Sequence, residues 1–244
     1  MNKQLGSLID QLSKDGRAGL HESIAISWIS YTKVNPEACS GIGASFSQEK
    51  LIYPASVVKL IYAVAIEAWI QKELLPEDTE LRHAQKMMIT ESSNDATSLV
   101  VDSLTGTTSG PRLSGASWES WKTQRNLINI WLQKIKWKEL KGINCCQKTW
   151  NDEPYGRDKD FYGSGRKNQN LLTTLATARM FEAIMTNEIV SPLACQRIRK
   201  ILSRSLDLSL RKKNPENQID SFLGEGLPAG TRIWSKAGLM SQAR

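Results

Sequence analysis

Residues 53–60 read YPASVVKL and mark the point where a loop becomes an almost wholly apolar helix. A serine, Ser56, stands at the start of this helix, and a lysine, Lys59, follows three positions later. Residues three apart lie on one helical face, so the amine of Lys59 can reach the hydroxyl of Ser56. The free amide groups of a first helical turn also favour negative charge that develops there. The stretch therefore predicts a serine nucleophile with a lysine as its base.

The Ser-x-x-Lys pattern also has a simpler interpretation. A serine at this point can act only as a helix N-cap, with the lysine as a solvated charge. The pattern recurs elsewhere in the chain, for example at Ser47, Ser164 and Ser209. The assignment to Ser56 therefore depends on further motifs and on the apolar character of the helix that follows it.

The composition is that of an ordinary soluble globular protein. The 244 residues are 40% hydrophobic and 23% charged, which is enough for one large core or two closely packed lobes. The net charge of +7 suits an anionic partner, but the lysines and arginines are scattered among acidic residues. The basic run at 211–213 is interpreted as a solvated loop rather than a binding patch. We therefore expect neither nucleic acid nor a membrane as a partner.

Neither an export signal nor a membrane span is found in the sequence. The first residues have no apolar run long enough for a signal peptide, and no later stretch approaches membrane-spanning length. The chain as written is predicted to be cytosolic, although a processed export sequence would look the same.

Signatures of metal or cofactor sites are also missing. The four cysteines (39, 145, 146 and 195) form no Cys-x-x-Cys pair, and reduced, partly buried thiols are the expected state. A Walker loop and a dinucleotide glycine fingerprint are absent. The only histidines in the sequence are His21 and His83, so a serine–histidine triad has few candidate bases. Lysine-assisted serine chemistry, which needs no cofactor, remains.

Hydrophobic periodicity predicts a chain of mixed helices and strands. A short helix should end at Gly16, and two paired strands should follow, the first with Ile24, Ile26 and Trp28 on its buried side. The strands are predicted at 23–31, 41–51 and 231–240, and the helices at 56–75, 77–89, 95–104, 118–135, from 173 and after 192. Residues 151–170 have neither period and are predicted to form a long polar loop, of a length that is usually either functional or disordered.

Two further motifs favour Ser56 as the nucleophile. Ser92-Ser93-Asn94 is the only Ser-x-Asn in the sequence and falls in a polar break between two predicted helices. Lys236-Ala237-Gly238, preceded by Ser235, lies on the last predicted strand, where a glycine allows close approach of a ligand backbone. A lysine beside that glycine can hold a carboxylate.

In this order, the three motifs resemble those of the penicillin-recognising serine hydrolases, namely the class A β-lactamases and the related penicillin-binding D,D-peptidases. The resemblance extends over nearly the whole chain. It implies an α+β fold, in which a helical lobe (53–189, with the active-site loop 151–170) packs beside an antiparallel sheet flanked by helices. The sheet-containing lobe would be discontinuous and comprise residues 1–52 and 190–244.

The resemblance also implies roles in acylation. Ser56 would be acylated, Lys59 would take part in removing its proton, and Ser92 would relay a proton to the leaving nitrogen. The backbone amides of Ser56 and Leu239 would form the oxyanion hole, a feature that commonly contributes about 3 kcal/mol to transition-state stabilisation.

The same resemblance implies a substrate-binding set. Asn94 would hold the amide side chain of the substrate, and Ser235 with Lys236 would bind its carboxylate, next to Gly238. Ala237 stands where the family usually has threonine or serine, so a hydroxyl that helps to hold the carboxylate is missing and weaker binding of β-lactams is expected. The short interval between Ser56 and Ser92 implies a trimmed helical lobe.

A glutamate in the long loop decides how the family removes the acyl group. Class A enzymes use it to activate the deacylating water, and Glu153-Pro154 is the corresponding pair here. The flanking residues match poorly, so Glu153 is either the deacylation base or a solvent-facing loop residue. The first alternative predicts a lactamase and the second a slow-deacylating binder.

The position of the last motif leads to another expectation. The sequence stops at Arg244, six residues beyond Gly238, whereas the family continues with two strands and a helix. We therefore expect a C-terminally truncated chain with an incomplete sheet and weak activity.

The sequence as a whole predicts a serine hydrolase that acts through an acyl-enzyme on a β-lactam or a cell-wall peptide amide, without a cofactor and as a monomer. A D,D-peptidase or esterase and a non-catalytic ligand-binding relative are the alternatives. The resemblance, unlike the missing signal peptide, favours a periplasmic location.

Overall fold

Helices make up most of the fold, which a computed structural model describes for residues 2–214, 217–222, 224–228 and 230–240. The α-helices in these ranges are α1 (Asn2–Lys14), α2 (Leu20–Ser23), α3 (Lys59–Gln71), α4 (Thr79–Thr90), α5 (Asn94–Thr105), α6 (Gly115–Arg125), α7 (Leu127–Ile135), α8 (Gly156–Tyr162), α9 (Thr174–Met185), α10 (Pro192–Leu202) and α11 (Leu208–Lys213). The strands there are β1 (Ile26–Ser30), β2 (Ile42–Phe46), β3 (Ser203–Arg204) and β4 (Ile233–Trp234). The predicted α+β class is confirmed.

The helix that follows Ser56 is the centre of the core. Every residue of α3 from Lys59 to Trp69 is buried, and α4, α5 and α10 pack around it. Ile61, Val64 and Ile66 are completely buried, and full burial of such a side chain stabilises the fold by about 1.5–3 kcal/mol. Because this helix is apolar on all sides, the lysine at its first position is carried into the interior.

The two predicted N-terminal strands pair as expected. β1 and β2 are antiparallel, with Trp28 opposite Ala44, and α9 packs against β1. The prediction that Trp28 lies on the buried side was wrong, since its side chain is 57% exposed. The small cluster around Leu5 and Ile9 of α1 covers Ile26 but does not extend along the strand to Trp28.

Two elements in the helical part of the chain differ from the prediction. The helix expected over 118–135 is interrupted at Asn126, whose side-chain amide donates to the carbonyl of Lys122 and separates α6 from α7. The loop at 151–170 contains a helix, α8, because the buried Asp158 in its first turn pairs with Arg125.

The strand expected over 231–240 is reduced to the two residues of β4, which pair with β3. The Lys236-Ala237-Gly238 motif lies in irregular backbone beyond it. The amide of Ala237 donates to the side chain of Gln218 at 2.9 Å, so it is not available for a strand ladder.

None of the helices in the described ranges combines the length and the apolar character that crossing a bilayer requires.

The long loop is tied to the loop that precedes α6. Arg157 donates its backbone amide to Gly110 at 3.1 Å and its Nε to Pro111 at 2.9 Å. The neighbouring Gly156 has a φ of +53°, and a Cβ on it would overlap the carbonyl oxygen of Gly110. Gly156 is therefore required both for its backbone conformation and for the close approach of the two loops.

A comparison of Gly156 with Gly165 of the same loop separates the cost of the backbone conformation from the cost of the close approach. Gly165 has a similar φ of +64° but open space around its Cα. Gly165→Ala should lower the free energy of unfolding by about 1–2 kcal/mol, the cost of an L-residue in this conformation. Gly156→Ala should cost clearly more, because the loops must also move apart. Urea unfolding of both variants tests this, and equal losses would contradict the close-approach argument.

Candidate active site

The predicted nucleophile lies in a strained turn at the entrance to α3. Ser56 is half-buried within a 3₁₀ turn, Ala55–Val58, that runs directly into the helix. Ala55, a residue with a Cβ, has a φ of 44°, a conformation that costs about 1–2 kcal/mol. Pro54, not Ser56, occupies the N-cap position of the turn. Strained backbone of this kind is often found at functional sites.

Lys59 is fully buried and bonds to the second motif. Its Nζ donates to Ser92 O at 2.5 Å, to Asn94 Oδ1 at 2.7 Å and to Ser92 Oγ at 3.3 Å. Burial lowers the pKa of Lys59 to about 7. In the part of the chain that the structure describes, no hydrogen bond joins Lys59 Nζ to Ser56 Oγ. With this pKa, the neutral and protonated forms of the amine are both populated near neutral pH.

The second motif forms the sharp break between α4 and α5. Ser92 has a φ of 54°, and Ser93 caps α5 by accepting a hydrogen bond from Ala96 N at 3.1 Å. This conformation directs Ser92 Oγ between two amines, Lys59 Nζ at 3.3 Å and Lys236 Nζ at 3.0 Å. A hydroxyl has two lone pairs and one proton. With both lone pairs accepting from amines, the proton of Ser92 is free to be donated elsewhere.

The third motif supplies the second buried amine. Lys236 Nζ donates to Ala237 O at 2.5 Å and to Gln218 Oε1 at 3.2 Å, in addition to Ser92 Oγ. Burial, followed by the positive charges of Lys59 and Arg204, lowers the pKa of Lys236 to about 7. The three cations make this part of the cleft electropositive.

Gly238 brings the third motif against the nucleophile. A Cβ at this position would lie 2.7 Å from Pro54 O and 3.1 Å from Ser56 N, so only glycine fits without displacement. The backbone of the following residue, Leu239, is thereby carried alongside the turn that bears Ser56, while its side chain is 81% exposed. This contact explains why the motif ends in glycine.

The other predicted binding residues of the third motif have different surroundings. The hydroxyl of Ser235 is buried and has no hydrogen-bond partner within the described ranges. Its backbone amide donates to Leu202 O at 3.0 Å. Ala237 contributes a methyl group and its amide bond to Gln218.

Asn94, the first residue of α5, connects the site to the long loop. Its Oδ1 accepts from Lys59 Nζ and from Thr149 Oγ1, both at 2.7 Å, and its Nδ2 donates to Asn151 Oδ1. Thr149 is buried, and Asn151 is exposed. The amide of Asn94 is therefore fixed by partners on both sides.

Glu153 lies apart from this network. Its side chain is 51% exposed and forms an ion pair with Lys159 at 3.2 Å. Among the residues that the structure describes, no hydrogen bond connects Glu153 to any of the three motifs.

Several residues of the network were missed by the sequence analysis. Gln218 accepts from Lys236 Nζ and Ala237 N, and its Nε2 donates to the carbonyls of Ile89 at 2.8 Å and Thr90 at 2.9 Å. It thus bridges the third motif to the end of α4, just before Ser92. No local pattern identifies such a residue, because all its partners are distant in sequence.

Arg204 of β3 was missed for the same reason. Its Nη2 donates to Ile89 O at 2.8 Å and to Ser235 O at 3.1 Å, so it spans the same two segments as Gln218. Burial lowers its pKa to about 10.

The model of the beta-lactamase enzyme family matches residues 67–244, more than half of the chain. The chain belongs to this family. The matched range includes the second and third motifs and begins after Ser56 and Lys59. No curated protein matches the sequence.

Solved structures of similar fold agree with this assignment. A β-lactamase from Sphaerobacter thermophilus DSM 20745 superposes with a TM-score of 0.58 at 14% identity, over 94% of this chain and 77% of that one. A variant of the TLA-1 extended-spectrum β-lactamase gives 0.60 at 14% identity, over 97% and 78%. PBP-A gives 0.56 at 18% identity, over 96% and 77%. At these identities the likeness shows a shared fold, and the resemblance to penicillin-recognising serine hydrolases is confirmed at that level.

The bridge made by Gln218 can be tested through Lys236. Gln218→Glu places a carboxylate next to the buried amine, and an opposite charge at this distance should raise the pKa of Lys236 by about 1–3. An NMR titration of the lysine side chains measures this shift. Gln133→Glu adds the same charge at an exposed position of α7 and should leave the pKa of Lys236 unchanged. Equal titration curves for the two variants would contradict a direct contact between Gln218 and Lys236.

Proposed function

We propose that this member of the beta-lactamase family is a serine hydrolase that becomes acylated at Ser56 by a β-lactam or a related peptide amide. One observation carries the proposal: the buried amines of Lys59 and Lys236 both donate to Ser92 Oγ, while Gly238 packs against the backbone of Ser56. This arrangement supports the roles of a base, a proton relay and a cationic binding group that lie next to one another.

The proposed acylation step depends on the lowered pKa of Lys59, which makes the neutral amine available as a base. In its neutral form the amine accepts the proton of Ser56 as Oγ attacks the amide carbon of the substrate. The carbon–nitrogen bond of the substrate then breaks, and the leaving nitrogen takes a proton from the hydroxyl of Ser92. Lys59 returns a proton to Ser92 through the hydrogen bond between them. The products of this step are an ester on Ser56 and a free amine.

The backbone amides of Ser56 and Leu239 would stabilise the oxyanion. The close approach of Gly238 to Ser56 N supports this role, since Leu239 is the next residue in the chain. Such donors typically contribute about 3 kcal/mol.

The charges of the cleft favour an anionic substrate. Arg204 lies close enough to Lys236 to lower its pKa and donates to the backbone carbonyl of Ser235, whose buried hydroxyl has no hydrogen-bond partner within the described ranges. A carboxylate bound here would relieve the repulsion between the cations. The missing hydroxyl at Ala237 should weaken this binding without preventing acylation.

A penicillin-binding protein with slow turnover, such as a D,D-peptidase, is the second candidate. The exposed ion pair of Glu153 with Lys159 favours it, because that carboxylate is engaged away from the nucleophile. The fold shared with PBP-A is consistent with it.

Intact-mass spectrometry after incubation with benzylpenicillin tests the nucleophile. The wild-type chain should gain the mass of one whole penicillin, and Ser56→Ala should gain none. Ser47→Ala alters another serine of the Ser-x-x-Lys pattern and should still be labelled. Labelling of Ser56→Ala, or an unlabelled wild-type chain that also fails to hydrolyse penicillin, would overturn the proposal.

The pH dependence of acylation tests the role of Lys59. Its pKa of about 7 means that protonated amine predominates below pH 7 and cannot accept the serine proton. At a saturating concentration of the substrate, where the titration of Lys236 in substrate binding does not affect the rate, acylation should therefore slow about tenfold for each pH unit below about 6 and level off above about 8. Stopped-flow measurements with a chromogenic cephalosporin give this rate, with circular dichroism to confirm that the fold persists. A rate independent of pH between 5.5 and 8.5 would exclude Lys59 as the base.

A further inference from the structure

A pocket opens at the end of α3 opposite to Lys59. It has a volume of about 390 Å³ and lies between the last turn of α3, α7 and the segment after α9, where it is lined by Ala68, Gln71, Lys72, Trp131, Ile189 and Val190. Since α3 begins at Lys59 and ends at Gln71, the pocket lies about 18 Å along the helix from the proposed base. It is therefore separate from the candidate active site.

Apolar side chains are exposed in the region of this pocket. Trp131 is half-buried and packs edge-on against Trp69, with 5.5 Å between the ring centres. Leu74, whose amide bonds to Trp69 O, is 66% exposed, and Ile130, the neighbour of Trp131 in α7, is 36% exposed. Val190 has a φ of 62°, which is an outlier for a β-branched residue, and such strain is often found at functional sites. These features indicate an interaction site.

Exposed lysines surround the pocket. Lys72 lines it, and Lys134 shares a face of α7 with Trp131, three residues before it. Three more exposed lysines follow α7, at positions 136, 138 and 141. Within the described ranges, none of these five amines lies within ion-pair distance of a carboxylate; the lysines that form ion pairs there are at positions 122, 148 and 159. We call the five residues the lysine group.

The packing of Trp137 brings the later lysines towards the pocket. The guanidinium of Arg179 lies 4.1 Å from the centre of the Trp137 ring, and Arg179 pairs with Glu188. Glu188 directly precedes Ile189, which lines the pocket. The exposed side chains on either side of Trp137, at positions 136 and 138, therefore lie near the same opening.

The net charge of the protein is concentrated in this region. Residues 122–148 contain seven lysines and arginines and one acidic residue, so they account for six of the seven net positive charges. Arg125, Lys148 and Lys122 in this range are paired with carboxylates, which leaves the lysines at 134–141 as the unpaired share. The sequence analysis expected no membrane partner because basic residues are scattered along the chain, but the fold places Lys72 next to this run.

We propose that this end of the protein binds the surface of a bilayer that contains anionic phospholipids. The lysine group contacts the headgroup phosphates, and the pocket takes up the adjoining apolar part of a lipid. Each lysine close to such a surface strengthens binding about fivefold. The pocket favours a lipid over a soluble phosphate polymer, because a polymer of phosphates has no apolar part to fill it. The contact leaves the catalytic end of α3 free.

Vesicle sedimentation with two matched double variants tests the role of the lysines. The protein should bind vesicles of phosphatidylglycerol and phosphatidylcholine in equal parts, and should not bind phosphatidylcholine alone. Lys134→Gln with Lys136→Gln should weaken binding at least about tenfold. Lys212→Gln with Lys213→Gln removes the same charge from exposed positions of α11 and should change the affinity less than about twofold. Circular dichroism verifies that both variants are folded.

Fluorescence quenching tests the role of the pocket. Phosphatidylglycerol with brominated acyl chains should quench the tryptophan fluorescence of the bound protein, and Trp131→Phe should remove the larger part of this quenching. Trp28→Phe alters an exposed tryptophan of β1 and should leave the quenching as in the wild-type chain. Leu74→Ser changes an exposed residue near the pocket and should weaken binding to the same vesicles, which provides a second variant if Trp131→Phe does not fold.

Three results would overturn the proposal: equal affinity for the two kinds of vesicle, equal losses in the two double variants, or quenching that survives in Trp131→Phe together with unchanged binding of Leu74→Ser. Soluble polyphosphate that binds as tightly as the anionic vesicles would also overturn it, since the lysine group would then serve a polymer. None of the altered residues belongs to the three motifs, so labelling of Ser56 by penicillin should be unchanged in every variant.

Discussion

Two lysine amines buried against one serine hydroxyl form the interaction on which the rest of the site depends. Lys59 and Lys236 meet at Ser92 Oγ, and no acidic residue contributes to the environment that lowers the pKa of either amine. Since both pKa values are about 7 in the fold and about 10.4 in an unfolded chain, the unfolded chain binds more protons between these values. Stability contributed by this pair therefore rises with pH over that interval, and at neutral pH their burial is a cost.

Burial of the apolar core offsets the free-energy cost of burying the two amines, and packing of the core determines where the amines point. The apolar surroundings of α3 leave Lys59 no route to solvent, so its amine must bond to the polar break at Ser92. Gln218 and Arg204 hold the third motif in place, because both also bond to the carbonyl of Ile89 at the end of α4. The proposed catalytic groups thus lie where a buried helix, a strained turn and an irregular C-terminal segment meet.

The sequence predicted those parts of the site that are encoded locally. The apolar run after Ser56, the polar break at Ser92 and the glycine at 238 are visible in short windows, and the structure brings these three segments together. The partners of Gln218 are more than 120 residues away in α4, so no periodicity reveals them. The strand expected around Lys236 failed for the same reason, since a distant side chain takes the amide of Ala237 that a strand would have used.

The groups proposed for acylation and the residues of the long loop lie on different parts of the fold. The groups for acylation lie on core elements, where a change in one side chain disturbs packing as well as chemistry. Asn151 lies on an exposed loop, held by Thr149 and by the buried contact of Lys148 with Asp102. A substitution there alters one hydrogen bond to Asn94 and leaves the two amines in place. Because Thr149 and Lys148 bond to Asn94 and Asp102 of α5, the exposed loop is held against the same helix whose first residue bonds to Lys59.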